Sequence, residues 1–360
     1  MRPDGSGGAW GPLGRVRERL TMTEQKSFKR LVRSRMERTG ESYTTARRQL
    51  LREKPVLMHD TALLRHVLGG TMSEAMLAGL AGGIGFMYFV FEYKGLDAPT
   101  MTIVARHHPD PYIAAALRNS GIEHQVTTTG SVAKASKQLR GGGKLICTVD
   151  RTKLPWSGRT GEWGPEPYSV AVESVDGDTV LVRDDDAHPL PLNDFLTAWG
   201  KKHEMITITG TAAKPDVAAA VRTTVAHLTG PVLGNNFDVN FGFSGMRKLA
   251  TEMRDVRGRK GWAQRWSTPG ARAFVYQRLH DCIELEYTAP SATRPLYAEF
   301  LEEAGLPGAA DFHASGRIWS EIAERALEAS LAEGQTDLHV ALADLVDEAR
   351  ELEEKAVGRL

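Results

Sequence analysis

Hydrophobic and polar positions change period twice along this chain. Over residues 23–52 the apolar residues recur at helical spacing, with Phe28, Leu31, Val32 and Met36 on one face and Tyr43, Ala46, Leu50 and Leu51 on the next. Thr39-Gly40-Glu41-Ser42 interrupts them, and Gly40 suits a C-cap and Ser42 an N-cap, so the pattern predicts a helix, a turn and a second helix. Helical signals at 60–68 and 73–80 then give way to short β-rich runs at 101–105, 144–150, 168–175, 178–184 and 204–210. Asp176-Gly177-Asp178, between two alternating runs, signals a hairpin turn. From residue 214 to 334 the strand signal fades, and segments 215–230, 242–257, 269–287, 294–304 and 311–333 carry helical spacing, with Trp262, Trp266 and Trp319 as core candidates.

These changes of period divide the chain. Residues 1–22, glycine-rich and without the apolar core of a signal peptide, read as a disordered leader in which Met22 is an alternative start. Residues 23–54 form a basic helical hairpin, 55–210 an α+β domain, 211–334 an all-helical domain and 335–360 a C-terminal amphipathic helix. In that last helix Leu338, Leu345 and Leu352 recur every seven residues, a pattern suited to docking or to forming a homodimer.

Charge and cysteine content narrow the function classes. The formal net charge is zero, so no global field draws the molecule to nucleic acid or membrane. The local exception is the hairpin, where Lys26, Lys29, Arg30, Arg33, Arg35, Arg38, Arg47, Arg48 and Arg52 could meet nucleic-acid phosphates, or simply form a solvated face. The apolar run 75–91 is broken by Gly79, Gly82, Gly83 and Gly85 and is too short for a membrane span. Cys147 and Cys282, far apart and each within an apolar pattern, fit buried core thiols in a cytoplasmic protein rather than a disulfide or a metal site.

The glycine cluster 79–85 lacks a preceding strand and any GK[ST], which excludes a phosphate loop and leaves close packing. His59, Ser73-Glu74-Ala75-Met76, Gly79 to Phe86, then Tyr88 and Phe89 together resemble the N-terminal domain of butirosin-biosynthesis protein H and its relatives. Thr148-Val149-Asp150 with Leu154-Pro155-Trp156 resembles that family's strand and Leu-Pro-aromatic loop. Residues 240–248 and 294–301 resemble the helical domain that commonly follows.

The resemblance implies a papain-like fold, similar to bacteriocin-leader peptidases, followed by an all-α domain, and aminoacyl transfer from a carrier-protein thioester to an amine. Such transfer needs a nucleophile, an imidazole to deprotonate it and a group to orient the imidazole. The family's nucleophile position is Asp60 here, its imidazole position falls at Pro167-Tyr168-Ser169-Val170, and only Asp184 keeps an acid. A carboxylate is a weak nucleophile and would give an anhydride, so cysteine-type chemistry is not expected.

The residues nearest any remaining chemistry are then His59, Asp60 and Asp184, with Glu74, Asp150, Tyr168, Asn236 and Asn240 as substrate-binding candidates, and no cofactor or metal expected. The expected partners are an acyl carrier protein or a peptide-like substrate in a biosynthetic pathway. One alternative is a non-catalytic binding or regulatory protein using the degenerate cleft and the basic hairpin. Another is a metal-dependent hydrolase using His107, His108 and Asp110. His59 and Glu74 also fit structural roles at helix starts, and the polar-aromatic loop 235–242 fits either a helix cap or substrate recognition.

Overall fold

The computed structural model describes residues 58–93, 98–109, 111–158, 165–211 and 214–360. The leader, the basic hairpin and Asp110 therefore lie outside the described residues. The fold is mixed α+β, as the changing period predicts.

Two units are described separately. The larger comprises 57–148 and 169–360. It begins with α1 (His59–Val67) and α2 (Glu74–Leu80), the latter capped by Ser73, whose side chain accepts a hydrogen bond from the N–H of Met76. Gly82 and Gly83, both at positive φ, turn the chain into β1 (Ile84–Phe91), which pairs antiparallel with β2 (Thr100–Arg106). The strand β1 has no alternating pattern in the sequence because its first residues are buried whichever face they take.

Next come α3 (Tyr112–Asn119), β3 (His124–Thr128), α4 (Val132–Arg140), β4 (Lys144–Asp150), β5 (Pro167–Asp176), β6 (Thr179–Arg183), β7 (Ala187–Pro191), α5 (Leu192–Trp199) and β8 (Glu204–Ile208). Strands β3 to β8 form one sheet in the order β3-β8-β4-β5-β6-β7. The expected turn at Gly177 joins β5 to β6, with Asp176 opposite Thr179. The amphipathic segments 112–119, 132–140 and 192–199 and the short strands β3 and β7 are additions to the sequence reading. Their patterns span too few residues to stand out from loops.

The helices α6 (Val217–Thr229), α7 (Gly242–Arg254), α8 (Trp262–Arg265), α9 (Pro269–Glu284), α10 (Arg294–Glu303), α11 (Ala309–Leu331) and α12 (His339–Val357) complete the unit. They do not build a core of their own. Ile84, Phe86, Tyr88, Met101, Ile103 and Ala105 of the β1–β2 hairpin share one apolar cluster with Met246, Trp262, Trp266, Leu279, Phe300, Trp319 and Val346. The three tryptophans are fully buried, as their choice as core candidates predicts. A second cluster joins α1, α2 and α3 to the sheet through Leu64, Leu77, Ile113, Leu117, Ile146, Ala171 and Ile206.

The face of α12 carrying Leu342, Val346 and Ala349 is buried within the chain, where α12 packs on α7 and α11. Among the described residues no helix is long and apolar enough to cross a membrane.

In the smaller unit the described residues run from 149 to 158 and 165 to 168. A 3-10 turn at Arg151–Lys153 follows Asp150, whose carboxylate accepts hydrogen bonds from the Thr152 N–H and hydroxyl and from the Glu166 N–H.

Candidate functional site

Two histidines two helical turns apart fasten α1 along β5. His66 Nε2 lies 3.0 Å from the Glu173 carboxylate, and His59 Nε2 lies 2.7 Å from the backbone carbonyl of Ser169. Arg183 Nε also donates to Glu173, and this bond, ahead of the His66 contact, holds the Glu173 carboxyl below the usual carboxylate range.

The antiparallel register of β5 and β6 then supplies the acid. Ala171 lies opposite Arg183, so Ser169 near the start of β5 and Asp184 just past the end of β6 are brought close together, and both approach His59. Asp184 Oδ1 is 3.6 Å from His59 Nδ1, and its side chain is only 8% exposed against 24% for His59. The Asp184 N–H donates to the Asp186 carbonyl, fixing the turn that carries Asp184 and Asp185. His59, Asp184 and Asp185 each place one donor atom within 4.8 Å of the others. Sequence reasoning brings in His59 and Asp184 but does not single out Asp185, because adjacent acids carry no periodic signal.

Asp60 follows His59 in sequence and turns elsewhere. Its carboxylate is ion-paired with Arg106 at the end of β2, and both side chains are largely buried. The Arg106 guanidinium lies 4.6 Å from the ring centroid of Tyr112, a cation–π contact that holds it in place. Burial pushes the Tyr112 phenol well up, with Arg106 acting in the opposite sense. The partner Arg106 is invisible to sequence reasoning because it lies 46 residues away.

Glu74 sits against the start of α1. Its Oε1 accepts from the Met58 N–H at 2.7 Å and the Thr61 hydroxyl at 2.8 Å, while burial raises its pKa. These bonds satisfy donors at the helix start and account for its position. In the smaller unit Tyr168 packs beneath Arg151, whose guanidinium is 4.2 Å from its ring centroid. Burial disfavours the Asp150 carboxylate, but its three hydrogen bonds and Lys153 outweigh this and hold its pKa low.

The loop 235–242 contains a 3-10 turn, Asn236–Asn240, capped by Asn235. Asn236 is exposed, and buried Asn240 donates from Nδ2 to the Phe237 carbonyl at 2.9 Å. Asp238 accepts N–H bonds from Val232, Leu233 and Asn235, and these, led by the Leu233 bond, lower its pKa. This loop borders an aromatic ladder that the sequence pattern does not resolve. Phe89 lies 6.0 Å from Phe91, 6.1 Å from Phe237 and 5.9 Å from Phe241, and Phe91 lies 6.1 Å from Tyr93. Phe91, Tyr93 and Phe237 remain exposed.

The histidines of the hydrolase alternative are placed differently. His107 is buried, with its ring centroid 4.6 Å from that of His227, and the His108 carbonyl accepts from His227 Nε2. Neither belongs to the group formed by His59, Asp184 and Asp185. Both cysteines are fully buried, and burial pushes the Cys282 thiol up to about 11 and the Cys147 thiol further. No protein-family model matches the chain, and no curated protein matches it.

Proposed function

We propose that this chain is a relative of butirosin-biosynthesis protein H, a cytoplasmic protein with a papain-like domain that binds a carrier-bound acyl group or a peptide-like substrate without forming a covalent acyl-enzyme. The observation that carries this reading is the Asp60–Arg106 ion pair. A carboxylate in the nucleophile's place that is already ion-paired with a largely buried guanidinium is held away from any substrate carbonyl.

The aromatic ladder supports binding as the surviving role. Exposed Phe91, Tyr93 and Phe237 beside the 235–242 loop offer apolar area for an acyl chain or an aromatic peptide side chain. The loop's ordered polar groups border that area.

The test uses purified full-length protein with acylated and unacylated carrier protein and with peptides encoded beside its gene. Fluorescence anisotropy should give saturable binding of at least one such ligand, weakened by Phe91→Ser or Phe237→Ser, and mass spectrometry should detect no amide product. Absence of binding to every ligand would overturn the reading. An amide product whose rate of formation falls in Asp60→Asn would instead make the protein an acyltransferase that works by positioning.

A further inference from the structure

The geometry points to a docking edge on β3 that takes an extended acidic peptide segment as an added strand. It involves none of the residues of the aromatic ladder and does not depend on the reading above.

Register decides which backbone groups β3 offers. The Thr209 N–H donates to the Glu123 carbonyl at 2.9 Å, and the Thr129 N–H donates to the His203 carbonyl at 3.3 Å. Bonding positions alternate along an antiparallel pair, so Glu123, Gln125, Thr127 and Thr129 bond to β8. His124, Val126 and Thr128 turn their N–H and carbonyl groups to the other side. There β3 is the edge of its sheet, and among the described residues no strand pairs with it. The edge is also accessible, since Gln125, Val126 and Thr128 are exposed, Val126 by 52%.

The opposite edge of the same sheet is closed to such pairing. The Leu192 N–H donates to the Asp178 carbonyl and the Asp184 N–H to the Asp186 carbonyl, so the even-numbered positions of β7 bond to β6. Ala187, Pro189 and Pro191 face outward, and proline has no N–H to donate. A sheet that blunts one edge with prolines and leaves the other with its full set of donors and acceptors presents β3 as the edge for pairing.

Charge selects the occupant. The helix α4 reaches β3 through Gln138, whose Nε2 lies 3.5 Å from the Thr127 hydroxyl, and Lys134 sits one turn before Gln138 on the same helix face. Lys201 and Lys202 lie in the turn before β8, at the Thr128 end of β3, where a Cβ on Gly130 would be 3.8 Å from the Lys201 carbonyl. All three lysines are exposed. Of the flanking acids Glu123 and Glu204, the second accepts from the Thr148 hydroxyl on β4, on the side away from β3. This charge favours a segment rich in glutamate or aspartate and opposes self-pairing, which would bring the lysines of two copies together. Self-pairing through a five-residue strand would also fall short of the roughly 20–30 residues a side of a stable interface. Main-chain bonds to His124, Val126 and Thr128 would supply affinity, and an apolar residue opposite Val126 would pack against it.

Full-length protein would be titrated with a fluorescein-labelled peptide alternating glutamate and valine, followed by anisotropy. Saturable binding is expected, at least tenfold weaker for a lysine–valine peptide and for the acidic peptide N-methylated at every amide. Val126→Pro removes an outward N–H without touching a bond to β8, so it should weaken binding at least tenfold, with circular dichroism as the check on its fold. Should it fail to fold, the exposed pair Lys201→Glu and Lys202→Glu, made together, decides the matter and should weaken binding at least tenfold. No saturable binding at millimolar peptide would overturn the proposal, as would unchanged affinity in folded Val126→Pro or in the lysine variant. A dimer that Val126→Pro converts to a monomer in sedimentation would overturn it in favour of self-pairing. Phe237→Ser should leave this affinity unchanged, so failure here is separable from failure of the carrier-binding reading.

Discussion

Asp60 and Arg106 form an ion pair in which each side chain is only 15% exposed. A carboxylate in that setting has a structural role. Asp60→Asn leaves a largely buried guanidinium without its counter-charge, so urea unfolding should show a loss of about 1–3 kcal/mol. Arg106→Met should cost a comparable amount, because it leaves the carboxylate unpaired. The double variant should be less damaging than the sum of the two, and an additive outcome would show that the pair contributes nothing.

Arg294 and Glu353 anchor the other core. Both are fully buried, the guanidinium donating twice to Glu353 and once each to the carbonyls of Ala105 and Ala292, while Ser315 and Trp319 also donate to Glu353. Removing either partner should cost about 3–5 kcal/mol, since the charge left behind has no solvent. Arg294→Lys should not rescue stability, because an ammonium cannot reproduce the planar fork. Chemical denaturation of the three variants measures this.

The glycine cluster fits the close-packing reading, though its neighbours are mainly side chains rather than backbone. A Cβ at Gly79 would lie 2.1 Å from the Phe300 ring, and one at Gly83 would lie 2.4 Å from Tyr297. Gly79→Ala should destabilise by about 1–3 kcal/mol through overpacking. Gly270→Ala, in the first turn of α9 with open space around it, should instead stabilise by about 0.4–1 kcal/mol. Thermal melts of the two variants should move in opposite directions.

The two thiols should be silent in the native state. Both are buried and burial disfavours their thiolates, so a disulfide reagent at pH 8 should titrate neither Cys147 nor Cys282 until the chain is unfolded. Rapid native labelling of either would contradict this packing.

Glu74 gives a pH signature. Its folded pKa is raised from the ordinary value of 4.5, chiefly by burial, so the folded protein holds the proton more tightly than the unfolded chain. Its contribution to stability is therefore fully present below pH 4.5 and falls as pH rises through the raised folded value. Glu74→Gln keeps an acceptor for Met58 and Thr61 without the charge, so the stability of wild type relative to the variant should decline across that window. A flat difference between pH 4 and pH 7 in denaturation curves would refute the assignment.

The helical half was the most legible part of the fold. Five of its helices fall on the segments with helical spacing, the core candidates Trp262, Trp266 and Trp319 are buried, and the Gly177 turn falls between two alternating strands. Strand β1 was hidden, because a continuous apolar run has no alternation to read. At the site, His59 and Asp184 could be singled out by type and order, whereas Asp185 could not. Arg106 could not be anticipated, since nothing local in a sequence says which distant cation a carboxylate will meet.

Local periodicity and turn chemistry thus determined the long helices of residues 214–334 and the strands with clear alternation, that both cysteines are core residues, and that no thiol stands beside His59. These are short-range properties, carried by neighbours a few positions apart. Only the tertiary structure decided that the β1–β2 hairpin joins the helical core, that Asp60 turns to Arg106, and that His59 meets Asp184 across the β5–β6 register. Those outcomes depend on contacts between residues 46 or more positions apart, which the packing of the whole chain selects and no local pattern encodes.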